Sequence, residues 1–246
     1  MNGRRREFLS VVIPAYNEEL RIAETLRRMY AWLRARFDRF EIVVVDDGST
    51  DRTPAIVREF ALTAPEVRLL QPPGHIGKGH AVRTGMLATT GDYALFSDAD
   101  LSTPIEELEP ALAFIAKGYA VAIASRALPD SDVQVHQGVL RETMGKIFNW
   151  VVRRLCRLPF RDTQCGFKCY SRSAVEAIFS RARIDGFAFD VESLVIARRL
   201  GLSVADFPVR WINSPSSKVH MLRHPLQMIW EVVQVVRNER RGTYDR

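Results

Sequence analysis

Two carboxylates spaced two residues apart, Asp98 and Asp100, follow a short apolar run at residues 93–96. Extended backbone has a side-chain period of two, so both carboxylates can point to the same side where the strand ends. Like charges held together repel each other, and a divalent cation removes that conflict. Hard oxygen ligands suit Mg²⁺ or Mn²⁺ and leave coordination positions for water and phosphate oxygens. The spacing therefore predicts a metal site, although it also fits a solvated turn that caps the next helix.

The first half of the chain alternates short apolar runs with stretches of helical periodicity. Strands are predicted at residues 8–14, 40–45, 67–70, 93–96 and 119–125, and helices at 20–37, 56–62, 80–89 and 104–117. This alternation favours an α/β fold with a mostly parallel sheet and helices on both faces. Polar clusters follow the first, second and fourth strands, where ligands bind in such sheets. The coincidence favours a nucleotide-binding enzyme over a scaffold.

The second half of the chain is less regular. Helices are predicted at 143–155, 173–180, 190–200 and 225–240, and a strand at 204–209. Residues 125–141 form a loop that is too long for an ordinary connector. The segment 162–168 is compact and polar, so it is not predicted to be a core strand.

Composition limits the possible compartments and partners. With 246 residues and 47% hydrophobic content, the chain can bury a large core, most simply as one domain. A net charge of +6 favours an anionic partner, which could be nucleic acid, a nucleotide or an anionic membrane. The three cysteines lack the paired spacing of a zinc site and fit a reducing, cytosolic compartment. With no signal-peptide pattern and no apolar run near 18 residues, we expect a cytoplasmic protein without a membrane-spanning helix.

Three motifs, in this order, resemble the inverting GT-A glycosyltransferases of family two. They are Pro14-Ala15-Tyr16-Asn17-Glu18, Val45-Asp46-Asp47-Gly48-Ser49-Thr50-Asp51 and Asp98-Ala99-Asp100. The chain is most similar to the dolichyl-phosphate glucosyltransferase branch, through residues 98–104, 125–126, 162–168, 187–192 and 217–219. This resemblance implies one GT-A domain with a Rossmann-like sheet, in which residues 1–125 bind the nucleotide sugar and 126–246 the acceptor. The implied reaction moves glucose from UDP-glucose to dolichyl or polyprenyl phosphate, with inversion.

The resemblance also implies roles for the residues of the donor site. Tyr16 would pack on the base or ribose, Glu18 would accept from ribose hydroxyls, and Asp47 would contact the uracil edge. Asp46 is expected either to join them or to brace the turn, and Glu18 could simply favour a helix N-terminus. Lys78 precedes a helix, where a lysine and backbone amides suit a phosphate, unless it is an ordinary solvated lysine. The donor site as a whole comprises Pro14, Ala15, Tyr16, Glu18, Asp46, Asp47, Lys78, Asp98, Ala99 and Asp100.

The resemblance also implies that positively charged groups bind the diphosphate and the acceptor phosphate. Asp98 and Asp100 would hold Mg²⁺ or Mn²⁺ at the diphosphate, and Arg126 would add charge to the diphosphate or the acceptor. A lipid monophosphate is already ionised near pH 7, so it needs cations around it more than a base. Asp190 and Glu192 are candidates for a base, for orienting those cations, or for capping a helix. The acceptor candidates are Arg126, Arg141, Gln164, Lys168 and Lys218, with Lys146, Arg153, Arg154, Arg157 and Arg161 as further cations.

The polyprenyl phosphate acceptor that the resemblance implies favours peripheral contact with an anionic membrane on its cytoplasmic face, through two basic amphipathic stretches. At 143–157 the apolar face would carry Ile147, Trp150, Val151 and Leu155; at 225–240 it would carry Ile229, Val232, Val233 and Val236. The alternative is two core helices with solvated arginines. Other hypotheses for function are a GDP-mannose donor, a soluble sugar or phosphoglycerate acceptor, and a non-catalytic nucleotide- or nucleic-acid-binding module. Nucleic acid is not expected as a partner, because the acidic pair would repel it.

Overall fold

A computed structural model describes residues 5–134, 139–212 and 223–245. The strands are β1 (Arg5–Ala15), β2 (Phe37–Asp46), β3 (Val67–Leu70), β4 (Tyr93–Ser97), β5 (Val121–Ser125), β6 (Asp132–Val133), β7 (Phe167–Ser171), β8 (Val204–Pro208) and β9 (Arg210–Trp211). The helices are α1 (Ile22–Arg36), α2 (Thr53–Ala61), α3 (Lys78–Ala88), α4 (Leu108–Ala116), α5 (Val139–Cys156), α6 (Arg172–Phe179), α7 (Phe189–Arg199) and α8 (Arg223–Arg240). A single 3₁₀ turn, Ile105–Glu107, leads into α4.

Seven strands form one sheet in the order β3-β2-β1-β4-β7-β5-β8, and β6 pairs with β9 in a separate ribbon. The pairs β1–β2, β1–β4, β2–β3 and β5–β8 are parallel, so the predicted mostly parallel sheet is confirmed. Residues 9–15 of β1 are all buried, as expected for a strand covered by helices on both faces.

The two faces of the sheet have separate cores. Val11 and Ile13 pack with α1, α2 and α4, whereas Val12 between them packs with α3, α6, α7 and α8. This alternation follows from the two-residue period of a strand. Helices therefore cover both faces, and both halves of the chain contribute to the sheet.

Only the end of the segment 162–168 differs from its prediction: residues 162–166 belong to no strand, but Phe167 and Lys168 begin β7. The structure places β7 in the middle of the sheet, antiparallel to both β4 and β5, with Cys169 opposite Leu95 and Ala122. The polar appearance of this segment is misleading because Lys168 is fully buried and its amine is paired with the Asp190 carboxylate. A buried charge is tolerated when it is paired and hydrogen-bonded.

Helices α5 and α8 pack against each other and leave apolar side chains exposed. On α5, Val152 and Cys156 face the core, whereas Trp150 and Leu155 are 63% and 47% exposed. On α8, Val232 and Val235 face the core, so the prediction that grouped Val232 with the exposed Ile229 is wrong. The two residues are about one helical turn apart, but Val232 belongs to the core on the side of α8 that packs against α5 and α7.

Candidate active site

A cavity of ≈ 1020 Å³ lies at the carboxyl ends of the central strands. The backbone amide of Asp47 donates to the carbonyl of Ala15 at 2.8 Å, which holds the ends of β1 and β2 together. Five segments line the cavity: the loop after β1, Asp47 after β2, the loop before α3, the end of β4 and the loop before α7. A sixth wall comes from α8. The lining residues include Pro14, Ala15, Tyr16, Glu18, Asp47, His75, Lys78, Asp98, Ala99, Asp100, Arg183, Asp185, Phe187, Gln227, Trp230, Glu231 and Gln234.

The first two sequence motifs are joined by hydrogen bonds from backbone amides to side-chain oxygens. Asn17, in the left-handed region with φ 56°, donates from its amide to Ser49 Oγ at 2.8 Å and accepts from the Thr50 amide at 2.8 Å. The Glu18 amide donates to Thr53 Oγ1 at 2.7 Å. These contacts fix the segment that presents Tyr16 and Glu18 to the cavity.

Adjacent carboxylates after β2 have different surroundings. Asp46 is buried, accepts from the Ser49 amide at 3.3 Å and from Gln71 Nε2 at 3.1 Å, and does not line the cavity. Of the two roles predicted for Asp46, the structure places it in the one that braces the turn. Asp47 alone faces the cavity.

Asp47 is engaged by the loop before α3. Its Oδ1 accepts from the amides of Ile76 and Gly77 at 3.0 and 3.2 Å, and its Oδ2 lies 2.7 Å from His75 Nδ1. The His75 ring stacks on Tyr16 with ring centroids 4.0 Å apart. The sequence analysis did not identify His75. Its only signal is its position in the loop that also carries Lys78.

Lys78 begins α3 and reaches the proposed metal pair. Its Nζ lies 2.6 Å from Asp98 Oδ1, with the rings of Phe96 and Phe189 beside it at 5.5 and 5.9 Å. Burial by itself would lower the pKa of Lys78, but the carboxylates of Asp98 and Asp190 outweigh it and raise that pKa above its ordinary value. Lys78 therefore carries a permanent positive charge into the cavity.

The glycines on either side of Lys78 allow a close approach of the loop before α7. A Cβ on Gly77 would lie 2.5 Å from the Asp185 carbonyl oxygen, and a Cβ on Gly79 would lie 2.5 Å from that of Ile184. Gly77 also has φ 144°, a conformation that side chains disfavour. Because the two glycines have no side chains, residues 184–185 of the cavity wall can pack directly against the start of α3.

Asp98 and Asp100 both line the cavity, as their spacing predicts. The Asp98 amide donates to the Gly166 carbonyl at 3.0 Å, and Asp100 Oδ1 accepts from the Ser102 amide at 2.9 Å. Carboxylate oxygens fit a hard divalent cation. No group of three or more His, Cys, Asp or Glu side chains is arranged for a metal among the described residues. A cation held here would therefore need oxygen ligands from water or from a diphosphate.

Arg126 is bound to Asp162 behind this pair. Its Nε and Nη2 donate to the two Asp162 oxygens at 2.7 and 2.9 Å, and its amide donates to Oδ2 at 3.0 Å. Burial alone would raise the pKa of Asp162, but the Arg126 guanidinium outweighs it and lowers that pKa to about 2. Gln164 belongs to the same turn, because its amide donates to Asp162 Oδ1 at 3.1 Å. Neither Arg126 nor Gln164 lines the cavity.

Of the two acids proposed as a base, Asp190 is paired with Lys168. The Lys168 ammonium contacts Asp190 Oδ1 and donates to the Cys165 carbonyl at 2.7 Å, and both side chains are buried. Burial raises the pKa of Asp190, although Lys168 and Lys78 oppose this. Lys168 is therefore placed in the core, behind the cavity, rather than on an acceptor surface.

Glu192 holds a loop in place. Its oxygens accept from the amides of Arg183 and Ile184, both at 2.9 Å, and from the Tyr244 hydroxyl at 2.8 Å. Burial raises the pKa of Glu192, and these hydrogen bonds oppose the shift. Glu192 does not line the cavity. Arg183 and Ile184, whose amides donate to Glu192, do line it. Neither candidate base thus has a carboxylate exposed to the cavity.

Other predicted cations are placed elsewhere or cannot be placed. Arg153, Arg154, Arg157 and Arg161 are exposed on or after α5. The side chains of Arg141 and Lys146, and the whole of Lys218, lie outside the described residues. Among the described residues of the second half, the cation that lines the cavity is Arg183, which was not predicted from the sequence.

Helix α8 contributes a buried acid that was also missed. Glu231 Oε2 accepts from the Ala188 amide at 2.8 Å, and Oε1 accepts from Gln227 Nε2 at 2.8 Å. A side chain on Gly186 would overlap the Glu231 carboxylate. The preceding residue, Trp230, lines the cavity while remaining 61% exposed. The C-terminal helix is therefore part of the site.

The sheet order and the carboxylate pair at the end of β4 define a GT-A-type glycosyltransferase fold. The family model for Glycosyl transferase family 2 matches residues 10–179, and the chain belongs to this family.

Individual relatives support the same class. The chain is 33% identical over 240 residues to Dolichyl-phosphate beta-glucosyltransferase of Dictyostelium discoideum, covering 93% of this chain and 73% of that protein. It is 34% identical over 244 residues to the Saccharomyces cerevisiae protein of the same name, covering 92% and 73%. Glucosyl-3-phosphoglycerate synthase from Mycobacterium tuberculosis, solved with Mn²⁺, uridine diphosphate and phosphoglyceric acid, aligns with TM-score 0.69 at 22% identity, covering 94% and 77%. The GT-A fold expected from the motifs is confirmed.

Proposed function

We propose that this enzyme transfers glucose from UDP-glucose to a dolichyl or polyprenyl phosphate, inverting the anomeric carbon. The names of the relatives support the donor sugar and the acceptor class. The observation that carries the proposal is that the carboxylates of both candidate bases are already engaged by other groups of the protein. Asp190 is paired with a buried lysine, and Glu192 accepts three hydrogen bonds. A hydroxyl acceptor needs a base, whereas an ionised phosphate does not.

At the donor end of the cavity, Tyr16 and Asp47 are proposed to bind the uracil, and Glu18 the ribose. Asp47 Oδ1 is saturated by two backbone amides, so its Oδ2 is the oxygen that would face the base. His75 now occupies that oxygen and would have to share it or move. The stacked Tyr16 ring supplies an aromatic surface for the base.

Asp98 and Asp100 are proposed to hold Mg²⁺ or Mn²⁺ beside the diphosphate. Such a cation neutralises charge on the departing nucleoside diphosphate. Lys78 adds a second positive charge at the same place. Arg126, whose guanidinium is committed to Asp162, would contribute through the local field rather than through a direct contact.

In the proposed reaction, an acceptor phosphate oxygen attacks the anomeric carbon from the side opposite UDP. The new bond joins that carbon to the phosphate oxygen, and the bond to the UDP oxygen breaks with its electron pair leaving on UDP. No proton needs to be removed, because the attacking oxygen is already ionised near pH 7. Displacement from the opposite side produces the β-linked product.

We also propose that α5 and α8 rest on an anionic membrane. On α5, the exposed Trp150 and Leu155 are close in sequence to three exposed cations, Arg153, Arg154 and Arg157. On α8, Ile229, Trp230 and Val233 are exposed. Trp230 belongs to this surface and to the cavity lining, which supports delivery of a lipid phosphate from the membrane. Within residues 5–134, 139–212 and 223–245, no helix is long and apolar enough to cross a bilayer.

A donor-by-acceptor assay tests the proposal. Purified protein with Mg²⁺, Mn²⁺ or EDTA is given labelled UDP-glucose or GDP-mannose, and polyprenyl phosphate or 3-phosphoglycerate. We expect label in the organic phase only with UDP-glucose, polyprenyl phosphate and a metal, and none with Asp98→Asn. Transfer from GDP-mannose would show that the proposed donor is wrong. Transfer to 3-phosphoglycerate in preference to the lipid would show that the proposed acceptor is wrong.

A further inference from the structure

Four charges of alternating sign run from the core to the cavity: Lys168, Asp190, Lys78 and Asp98. The innermost pair, Lys168 and Asp190, is buried. The outermost pair joins Lys78 Nζ to Asp98 Oδ1 at 2.6 Å, and about a quarter of the Lys78 side chain is exposed. The ammonium of Lys78 thus occupies the same carboxylate that the proposed metal ion requires.

The position of Lys78 is fixed from several sides. Its backbone opens α3 between Gly77 and Gly79, which touch the loop before α7. Its ammonium lies beside the rings of Phe96 and Phe189, in the field of the Asp190 carboxylate. Aromatic faces and a carboxylate both favour a cation. The protein itself therefore supplies Asp98 with a positive partner.

A divalent cation and an ammonium compete for one carboxylate, because they repel each other at contact distance in a partly buried site. If the cation takes both Asp98 and Asp100, the remaining carboxylate that acts on Lys78 is Asp190, which is already paired with Lys168. A diphosphate bound in the cavity would give Lys78 a new anion. The exchange is therefore favourable only when the cation and the nucleotide are both present.

We propose that Lys78 is the counter-ion of Asp98 in the ligand-free enzyme and exchanges this carboxylate for the donor diphosphate when the cation binds. Lys78 thereby keeps the affinity for the cation alone low and makes cation and nucleotide binding mutually dependent. This inference rests on the proposed function in one respect, namely that Asp98 and Asp100 hold the cation. Asp190, fixed by Lys168, is a positioning residue that keeps the ammonium near the cavity.

Mn²⁺ binding, measured by calorimetry and by the electron paramagnetic resonance of free Mn²⁺, tests this inference without an activity readout. The protein variants are wild type, Lys78→Met, Lys78→Arg and the exposed control Lys117→Met. We expect Lys78→Met to bind Mn²⁺ alone about tenfold more tightly and UDP alone about tenfold more weakly, which reduces the coupling between the two. Lys78→Arg, which keeps the charge, and Lys117→Met should bind Mn²⁺ alone as wild type does.

The outcomes separate this inference from the proposed function. If wild type binds Mn²⁺ with UDP but Lys78→Met leaves the affinity for Mn²⁺ alone unchanged or weakens it, the counter-ion role is refuted and the metal site stands. If wild type binds no Mn²⁺ even with UDP, the metal site and the inference both fail. Thermal unfolding of each variant is monitored in parallel, and Lys78→Arg gives a charge-preserving comparison if Lys78→Met is unstable.

Discussion

A methyl group on Gly166 would overlap the carboxylate of Asp98, because the turn that enters β7 passes directly over the end of β4. The two residues are also joined by the hydrogen bond from the Asp98 amide to the Gly166 carbonyl, at 3.0 Å. The absence of a side chain at residue 166 therefore determines where the proposed metal-binding carboxylate lies.

The first prediction is that Gly166→Ala rotates the Asp98 carboxylate away from its present position. We expect Mn²⁺ affinity in the presence of UDP to fall about tenfold or more, equivalent to about 1.4 kcal/mol. Stability should change by only about 1–2 kcal/mol, because the side chain that must move is at the cavity edge. The control is Gly145→Ala in α5, where an added Cβ meets nothing within 4 Å. Equal Mn²⁺ affinity in both variants would contradict the prediction.

The second prediction concerns the donor base. Asp47→Ala should weaken UDP binding by about 1–3 kcal/mol, since the amides of Ile76 and Gly77 lose their acceptor and the uracil loses its partner. Calorimetry with UDP and GDP measures the effect, and Asp38→Ala, exposed at the other end of β2, is the control. Unchanged UDP affinity, or tighter binding of GDP by wild type, would argue against a uridine site at Asp47.

The third prediction separates a structural acid from a base. Glu192→Gln should destabilise the protein by about 1–3 kcal/mol. The amides of Arg183 and Ile184 each donate to one carboxylate oxygen of Glu192, and glutamine keeps only one oxygen, so one amide loses its acceptor. Turnover of the folded variant should fall far less than the roughly 100-fold or greater loss typical of a missing general base. Tyr244→Phe, which removes only the third hydrogen bond, should cost about 1 kcal/mol. Urea unfolding and turnover per folded enzyme are the measurements, and a loss of turnover in Glu192→Gln at unchanged stability would restore the base.

The fourth prediction is a pH dependence of stability that comes from Asp162. Its folded pKa of about 2 lies below the ordinary value of 3.8, so between these values the unfolded chain binds more protons. The resulting contribution, about 2 kcal/mol, is fully present above pH 4 and is lost as the pH falls through about 2. The stability difference between wild type and Asp162→Asn should therefore shrink over that interval. A difference that stays constant from pH 5 to pH 2 would show that the Arg126 pair does not lower the pKa of Asp162.

The fifth prediction concerns the membrane. Each arginine near an anionic surface contributes about 1 kcal/mol, and salt screens most of it. The double variant Arg153→Glu, Arg154→Glu should bind anionic vesicles more weakly and lose activity on a long-chain acceptor more than on a short, water-soluble one. Arg27→Glu, Arg28→Glu on α1, which packs on the other face of the sheet, is the matched control. If wild type ignores anionic vesicles at low salt, the membrane proposal fails.

Most of the first half was predictable because its signals are local. The strand before Asp98 and the strand before Asp46 are apolar runs that end in polar residues, and both end at the cavity edge of the sheet. Strand boundaries shifted by only a few residues, as for β1, where the predicted run 8–14 became Arg5–Ala15. Parallel pairing then placed Tyr16, Asp47 and Asp98 around one cavity, as the alternation of strands and helices predicted.

The second half was harder to predict because its important contacts are distant in sequence. Lys168 looks like a surface residue until Asp190 is brought beside it, and Glu231 looks like a surface acid until Ala188 donates to it. His75 acquires a role only through Tyr16 and Asp47, which come from two other loops. Hydrophobic periodicity records which face of an element is buried, but it does not record which charges will meet there.

The placement of β7 has a consequence for the order in which the nascent chain can fold. Strands β4 and β5 leave the ribosome early, yet they do not pair with each other, and β7 must later fill the space between them. Until then, each has an unpaired edge, and such edges favour aggregation. A truncated chain ending at residue 125 would keep both edges open and would lack Gly166 beside Asp98. The proposed donor-binding segment is therefore encoded early in the sequence, but its site can be completed only after translation has passed β7.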